Sequence, residues 1–295
     1  MHTFLKAIGF SKKTSQADID NLVNDVVDRA DSNKVIQKAN GCKFVEYSKE
    51  FGENFGITVR GEEDENGDFR VGHYFPYLKS TVKGMVENEV FIHKKVDSDA
   101  YTGMCDDNRL GVSLIFYLQN VADFIKLETV GIQKMYTNRE IKLVALAQTG
   151  KIILPTQKRI YSHIASKIDK AVTSQLMDDA RNGDMEALDY LTYNDMDKNA
   201  ALSERIRHED LFSIVETCFI PYGSESDLYT VLGNIVSSRQ LNNKVTGETL
   251  WILRIICNDI EFEVAINTND LMGMPLPGMR FKGVVWMQGE VGAGR

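Results

Sequence analysis

The chain lacks the cysteine patterns that staple or metallate small folds. Its cysteines, Cys42, Cys105, Cys218 and Cys257, are scattered with no Cys-x-x-Cys pair, and no histidine stands at zinc spacing. A disulfide scaffold and a structural zinc site are therefore excluded, and each thiol reads as a small buried or half-buried hydrophobe. Long apolar runs are missing too. The longest, Val112 to Leu118, falls far short of the roughly 20 residues that span a bilayer. Lys6 interrupts Phe4-Leu5 and Ala7-Ile8, and Lys12-Lys13 follow, so no signal-peptide core is present. Positive charge is the minority: 34 Lys and Arg against 42 Asp and Glu leave a net charge of −8. That balance argues against broad binding to nucleic acid or anionic membrane, which draws on Lys and Arg. A soluble, cytoplasmic protein with no membrane partner is the expectation.

Catalytic signatures are also missing. There is no Gly-x-Ser-x-Gly, no P-loop and no His-Glu-x-x-His. The histidines, at positions 2, 73, 93, 163 and 208, nominate no pair. The glycines of 289–295 resemble a phosphate loop in composition, but a phosphate cradle needs a following helix. Glu62, Asp64, Asn66 and Gly67 imitate the first half of a calcium loop, yet its twelfth position, which needs a bidentate carboxylate, is His73. Asn66-Gly67 reads instead as a hairpin turn. No cofactor and no metal site are expected.

What is present fits an ordinary globular protein: 295 residues, 43% hydrophobic and 26% charged, enough for two or three units with full cores. The first unit is placed at 1–155. Thr3 to Phe10 reads as a short strand ending at Gly9. Ser15, with Asp18 three residues on, caps a helix whose apolar stripe is Ile19, Leu22, Val23, Val26, Val27 and Ala30. Strands follow at Lys43–Ser48, Gly56–Arg60, Phe69–Tyr77 and Val90–Val96. A polar loop, Tyr101 to Arg109, leads into Gly111–Asn120. A hairpin of Ile141–Ala147 and Lys151–Leu154 turns at Gln148-Thr149-Gly150. One helix with many strands makes this an α+β unit with a mainly antiparallel sheet.

Residues 156–210 read as a helical connector, with Ile160, Ile164, Ile168, Val172 and Leu176 on one face and Gly183 as a stop. The pattern over 211–220 fits helix and strand equally. The third unit, 211–295, is β again. Leu228–Val236 is broken at Gly233, Leu250–Cys257 is apolar on both faces, and Ile260, Phe262, Val264 and Ile266 alternate with glutamates. Asn267–Leu271 is a capped turn. Pro277-Gly278 then reverses the chain into a strand with Phe281, Val285 and Met287 on one face and Lys282, Trp286 and Gln288 on the other. This order resembles that of a small, OB-like β-barrel, with a small open sheet against the connector helices as the alternative.

Three functions compete. The leading one is a binding or interaction module using the barrel face. Tyr229, Trp251, Arg280, Lys282 and Trp286 would contact a protein partner or a single-stranded nucleic acid, although aromatics more commonly build the core. The second is an enzyme using Cys105, Asp106, Asp107 and Arg109 in the polar loop; adjacent carboxylates on a strand would point to opposite faces. The third is a structural homo-oligomer.

Several runs together resemble one family from end to end. They are Ala7-Ile8-Gly9-Phe10, Cys105-Asp106-Asp107 leading to Ser113–Asn120, Pro221-Tyr222-Gly223, and Arg280-Phe281-Lys282-Gly283 with Trp286-Met287-Gln288-Gly289. The family is a domain of unknown function, catalogue number 3881, of clostridia and related bacteria. The resemblance implies no activity, cofactor or catalytic residue.

Overall fold

The computed structural model describes residues 3–12, 15–38, 41–95, 100–107, 112–129, 135–155, 215–222 and 226–292. Two sheets form. The smaller is antiparallel, in the order β1 (Ser32–Gln37), β2 (Lys43–Gly52), β3 (Phe55–Glu63) and β4 (Phe69–Leu78). The larger contains β5 (Met85–Lys94), β6 (Tyr101–Asp107), β7 (Val112–Leu118), β8 (Met135–Ile153), β9 (Cys218–Pro221), β10 (Leu228–Asn242), β11 (Thr249–Cys257), β12 (Ile260–Asn267), β13 (Leu271–Met272) and β14 (Arg280–Val291). Two helices, α1 (Gln16–Asp28) and α2 (Val121–Thr129), and 3-10 turns at Thr3–Ile8 and Thr268–Asp270 complete the described elements. The class is α+β, with strands dominating.

The larger sheet is organised on one ladder. β8 and β14 pair antiparallel from Ile141–Val291 at one end to Ile153–Arg280 at the other. The first half of β14 also pairs with β10, β10 with β11, β11 with β12, and β12 returns to β8 in parallel. The second half of β14 meets β7, β7 pairs with β6, β6 with β5, and β5 returns to β8. Two five-stranded circuits therefore share the β8–β14 ladder. Alternation explains how both faces are filled. Leu253, Ile255, Phe262, Val264, Phe281, Val285 and Met287 enter one core with Phe116 and Leu143. Leu250, Ile252, Ala265, Val144, Tyr117 and Trp286 point the other way, into a second core with Phe4, Ile8, Val23 and Phe75.

Several sequence expectations are corrected. Thr3–Ile8 is a 3-10 turn rather than a strand, because Phe4, Leu5, Ala7 and Ile8 are all buried and no strand can bury neighbours on a single face. Gly9 at φ +87° ends it, and Asn243 Nδ2 and Thr246 Oγ1 donate to the carbonyls of Ile8 and Gly9. Gln148-Thr149-Gly150 does not turn: β8 runs through it for 19 residues, with a bulge opposite Val284 and Val285. A Cβ on Gly150 would stand 2.4 Å from the Phe281 ring, so that glycine serves close packing. In β10 the irregularity falls between Ile235 and Ser237, past Gly233. Tyr101–Asp107 is a strand, β6, and not a loop. β1 carries too few apolar residues in register to announce itself, whereas α2 has a helical apolar stripe, Val121, Ala122, Phe124 and Ile125, that the sequence expectations leave out.

The C-terminal strands do not close on themselves. β12 pairs with β8 rather than with β14, so the first circuit is completed by a strand from before residue 155. Accordingly Met1–Ile153 and Thr217–Arg295 form one compact unit, where the sequence drew separate 1–155 and 211–295 domains. Leu154–Glu216 form a second unit. The expected 156–210 connector lies outside the described residues. Cys218–Pro221 resolves the ambiguous stretch as strand from 218 onward.

Candidate functional site

The inner face of the small sheet changes character along its length. Ser32, Ser48, Thr58 and Phe75 form one lateral row across its strands, and Lys34, Glu46, Arg60 and His73 form the next. Arg60 is fully buried. Its guanidinium donates to Glu46, to the Tyr117 hydroxyl at 3.0 Å and to the carbonyls of Leu118 and Gln119, with Phe75 stacked 4.4 Å from it. Burial pushes the Tyr117 hydroxyl well above its usual range, so that it stays protonated and accepts from Arg60. A buried charge is tolerable because every direction it faces offers an acceptor.

Arg60 thereby pins the end of β7, and Gln119 continues the network. Its Nε2 donates to the Leu78 carbonyl at 3.1 Å and to Gln288 Oε1 at 2.7 Å, while Gln288 Nε2 donates to the Pro76 carbonyl. Asn120 exchanges hydrogen bonds with the backbone of Val291. These bonds fix a polar wall opposite the serine row.

Between the two lies a cleft. A recess of about 200 Å³ is lined by Ser32, Ser48, Thr58, Tyr77, Gln119 and Glu290, among others. An adjoining recess of about 340 Å³ shares Ser32, Ser48, Tyr77 and Lys79 with it and adds Asp31, Glu50 and Lys244. Ser48 Oγ and Thr58 Oγ1 lie 2.8 Å apart. Tyr77 is 4% exposed, and its hydroxyl has no hydrogen-bond partner. Space for that hydroxyl comes from Gly56, where a Cβ would stand 2.7 Å from the Tyr77 oxygen and 2.1 Å from the Lys49 carbonyl. Burial first, then the carboxylates of Glu50, Asp31 and Glu290, push the Tyr77 phenol far above its ordinary value. The cleft therefore presents a neutral hydroxyl in negative surroundings.

The residues nominated from sequence lie elsewhere. Tyr229 is buried, its hydroxyl donating to the Ile115 carbonyl and accepting from the Ile115 N–H, and burial pushes it up to about 12. Trp286 is buried in the opposite core, its ring 5.4 Å from Phe4 and 4.9 Å from Tyr117. Arg280 is 2% exposed, whereas Trp251 and Lys282 are half-buried. Tyr229 and Trp286 thus face different cores rather than one shared surface. Cys105 is buried, while its neighbour Asp106 is exposed and accepts from Ser113 Oγ at 2.5 Å. Neither lines the cleft. Arg109 and the side chain of Asp107 lie outside the described residues.

The cleft itself escaped the sequence because Glu46, Ser48, Thr58 and Arg60 read as the wet face of strands. The available signal was Arg60, a charge between Val59 and Gly61 after a run, Phe55 to Val59, that carries none. Among the described residues, no three His, Cys, Asp or Glu side chains converge to hold a metal ion, and no helix is long and apolar enough to cross a membrane.

Neither the curated proteins nor the solved structures contain a match to this chain. A family model does match. It is described as "Domain of unknown function, E. rectale Gene description (DUF3881)" and aligns with residues 5–289, which takes in both sheets but for the last two residues of β14, and every cleft residue except Glu290. The chain belongs to this family of unknown function.

Proposed function

We propose that the chain is a binding module and that its ligand is a small polar molecule held in the cleft beside Tyr77. One observation carries this reading: a hydroxyl on a side chain 4% exposed, lining a cleft and bonded to nothing. Leaving a buried polar group unpaired costs about 1–3 kcal/mol, and native folds keep few such groups without a reason. A ligand that completes the hydrogen bond is that reason. Preorganisation supports it, since Arg60, Gln119 and Asn120 fix the walls before any ligand arrives. The cytoplasm is the compartment we assign, on its scattered free thiols. We also read the circuit of β8, β10, β11, β12 and β14 as a small barrel of OB-like size that braces the cleft's far wall.

Tyr77→Phe tests the reading through stability alone. Removing an orphaned hydroxyl relieves its desolvation cost, so the variant is expected to be more stable than the parent by about 1 kcal/mol in urea unfolding. A loss of 1 kcal/mol or more would show that the hydroxyl already has a structural partner, and the cleft reading would fall.

A further inference from the structure

Lys79 already places an ammonium group in the cleft. Its Nζ lies 2.6 Å from Glu50 Oε1 and 5.6 Å from the centroid of the Tyr77 ring. A carboxylate with an aromatic face is the combination that holds primary ammonium groups. With Glu46 bound to Arg60 and Lys34 to Asp123, the carboxylates of Glu50, Asp31 and Glu290 face the ammonium groups of Lys79 and Lys244, which leaves one negative charge in excess. Asp31 and Glu290 stand close enough to Tyr77 to act on its phenol together with Glu50. Among the described residues neither forms an ion pair: the Asp31 carboxylate accepts only the Glu50 N–H, at 2.7 Å. The Tyr77 hydroxyl beside them can accept as well.

We propose that the cleft binds a short primary amine whose ammonium group displaces Lys79 from Glu50 and donates to the Tyr77 hydroxyl. The displaced pair is weak: its side chains are 48% and 39% exposed, and exchange returns Lys79 to water at little cost. An anion would add to that excess, and a neutral polyol would leave it in place. Size limits the ligand further. The recess that Glu50 and Asp31 line, about 340 Å³, holds roughly eleven waters at about 30 Å³ each, which admits a diamine or amino alcohol. The proposal rests on the cleft being a binding site and adds the class of ligand. Lys79 then acts as an internal competitor that sets the affinity threshold.

Calorimetric titration of the full chain at physiological salt tests it, with putrescine and ethanolamine as amines, myo-inositol as a neutral probe and citrate as an anion. The amines are expected to bind. Lys79→Ala should bind them about tenfold more tightly, as when a site open a tenth of the time becomes always open, and Glu50→Gln about tenfold more weakly. Circular dichroism of both variants should match the parent. Equal amine affinity in all three chains would mark diffuse attraction to an acidic protein and overturn the proposal. So would binding of myo-inositol or citrate without the amines, though the cleft reading would then stand. No amine binding by Lys79→Ala also overturns the amine assignment, and the stability of Tyr77→Phe decides separately whether the cleft reading falls with it.

Discussion

At the scale of single residues, Arg60 is the most consequential side chain in the small sheet. Removing one partner of a buried pair leaves an unsatisfied charge, and such losses run to about 3–5 kcal/mol. Arg60→Ala strands the Glu46 carboxylate, which is 5% exposed, and frees the end of β7. A loss in that range is the expected result of denaturant titration; a loss under 1 kcal/mol would contradict the network drawn around it. Buried acids that must ionise set the alkaline limit. Burial pushes Cys257 from 9.0 to about 12, and Tyr229 from 10.0 to about 12. Their folded values are raised, so the folded state holds these protons longer than the unfolded chain does. Stability is therefore complete below about pH 9 and is lost as pH climbs toward 12, which melting curves at pH 8, 9.5 and 11 will show. Burial of Cys257 was legible, since its thiol reads as a small hydrophobe, whereas Tyr229 reads as a contact residue and sits in the core. Arginine on a strand reads as solvent-facing until a second sheet covers it.

At the scale of elements, local chemistry was legible where the signal is local. Asp18 N donates to Ser15 Oγ at 3.1 Å, capping α1 as its sequence anticipates. Asn66-Gly67 and Pro277-Gly278 turn where expected, with Gly67 at φ +86° and Gly278 at φ +87°. Failures came where the deciding partner is distant. Gly150 reads as a turn residue, but the Phe281 ring requires its lack of a side chain. The N-terminal 3-10 turn behaves likewise: two apolar pairs around a lysine do not alternate as a strand would, and the turn buries all four where it packs against β4, β8 and β12. Truncating Phe4 should reveal that docking. Phe4→Ala removes the ring against Trp286 and leaves a cavity, a change typically worth about 3–5 kcal/mol in a full core. The Trp286 emission should shift to the red as water reaches the ring. An unchanged spectrum would mean that the turn closes over the gap.

For the whole molecule, composition anticipated the α+β class and the wealth of strands, but the order of strands could not be read. Pairing between β8 and β12 is a contact across a long stretch of sequence, and no periodicity reports it. The same topology predicts that the second unit is an insertion. Ile153 faces Arg280 on β14, Arg280 faces Asn234 on β10, and Cys218 pairs with Leu232 of that strand. Counting three strand spacings of about 4.8 Å and a two-residue offset, Ile153 and Cys218 stand about 16 Å apart along the sheet. Eight Gly/Ser residues span roughly that distance. A chain with 154–216 replaced by such a linker should keep its β-rich circular dichroism and unfold cooperatively. A broad, non-cooperative transition would show that the first unit depends on the second.

The shared ladder also has a meaning in time. β8 is synthesised long before β14, yet β14 covers one of its edges from Ile141 to Ile153. Until the ribosome has passed Val291, both circuits stand open, and a long strand with Leu143, Ala145 and Ala147 facing an unfinished core waits beside other nascent chains. A pause in translation between β8 and β14 is therefore expected to leave that edge open for longer and to favour aggregation.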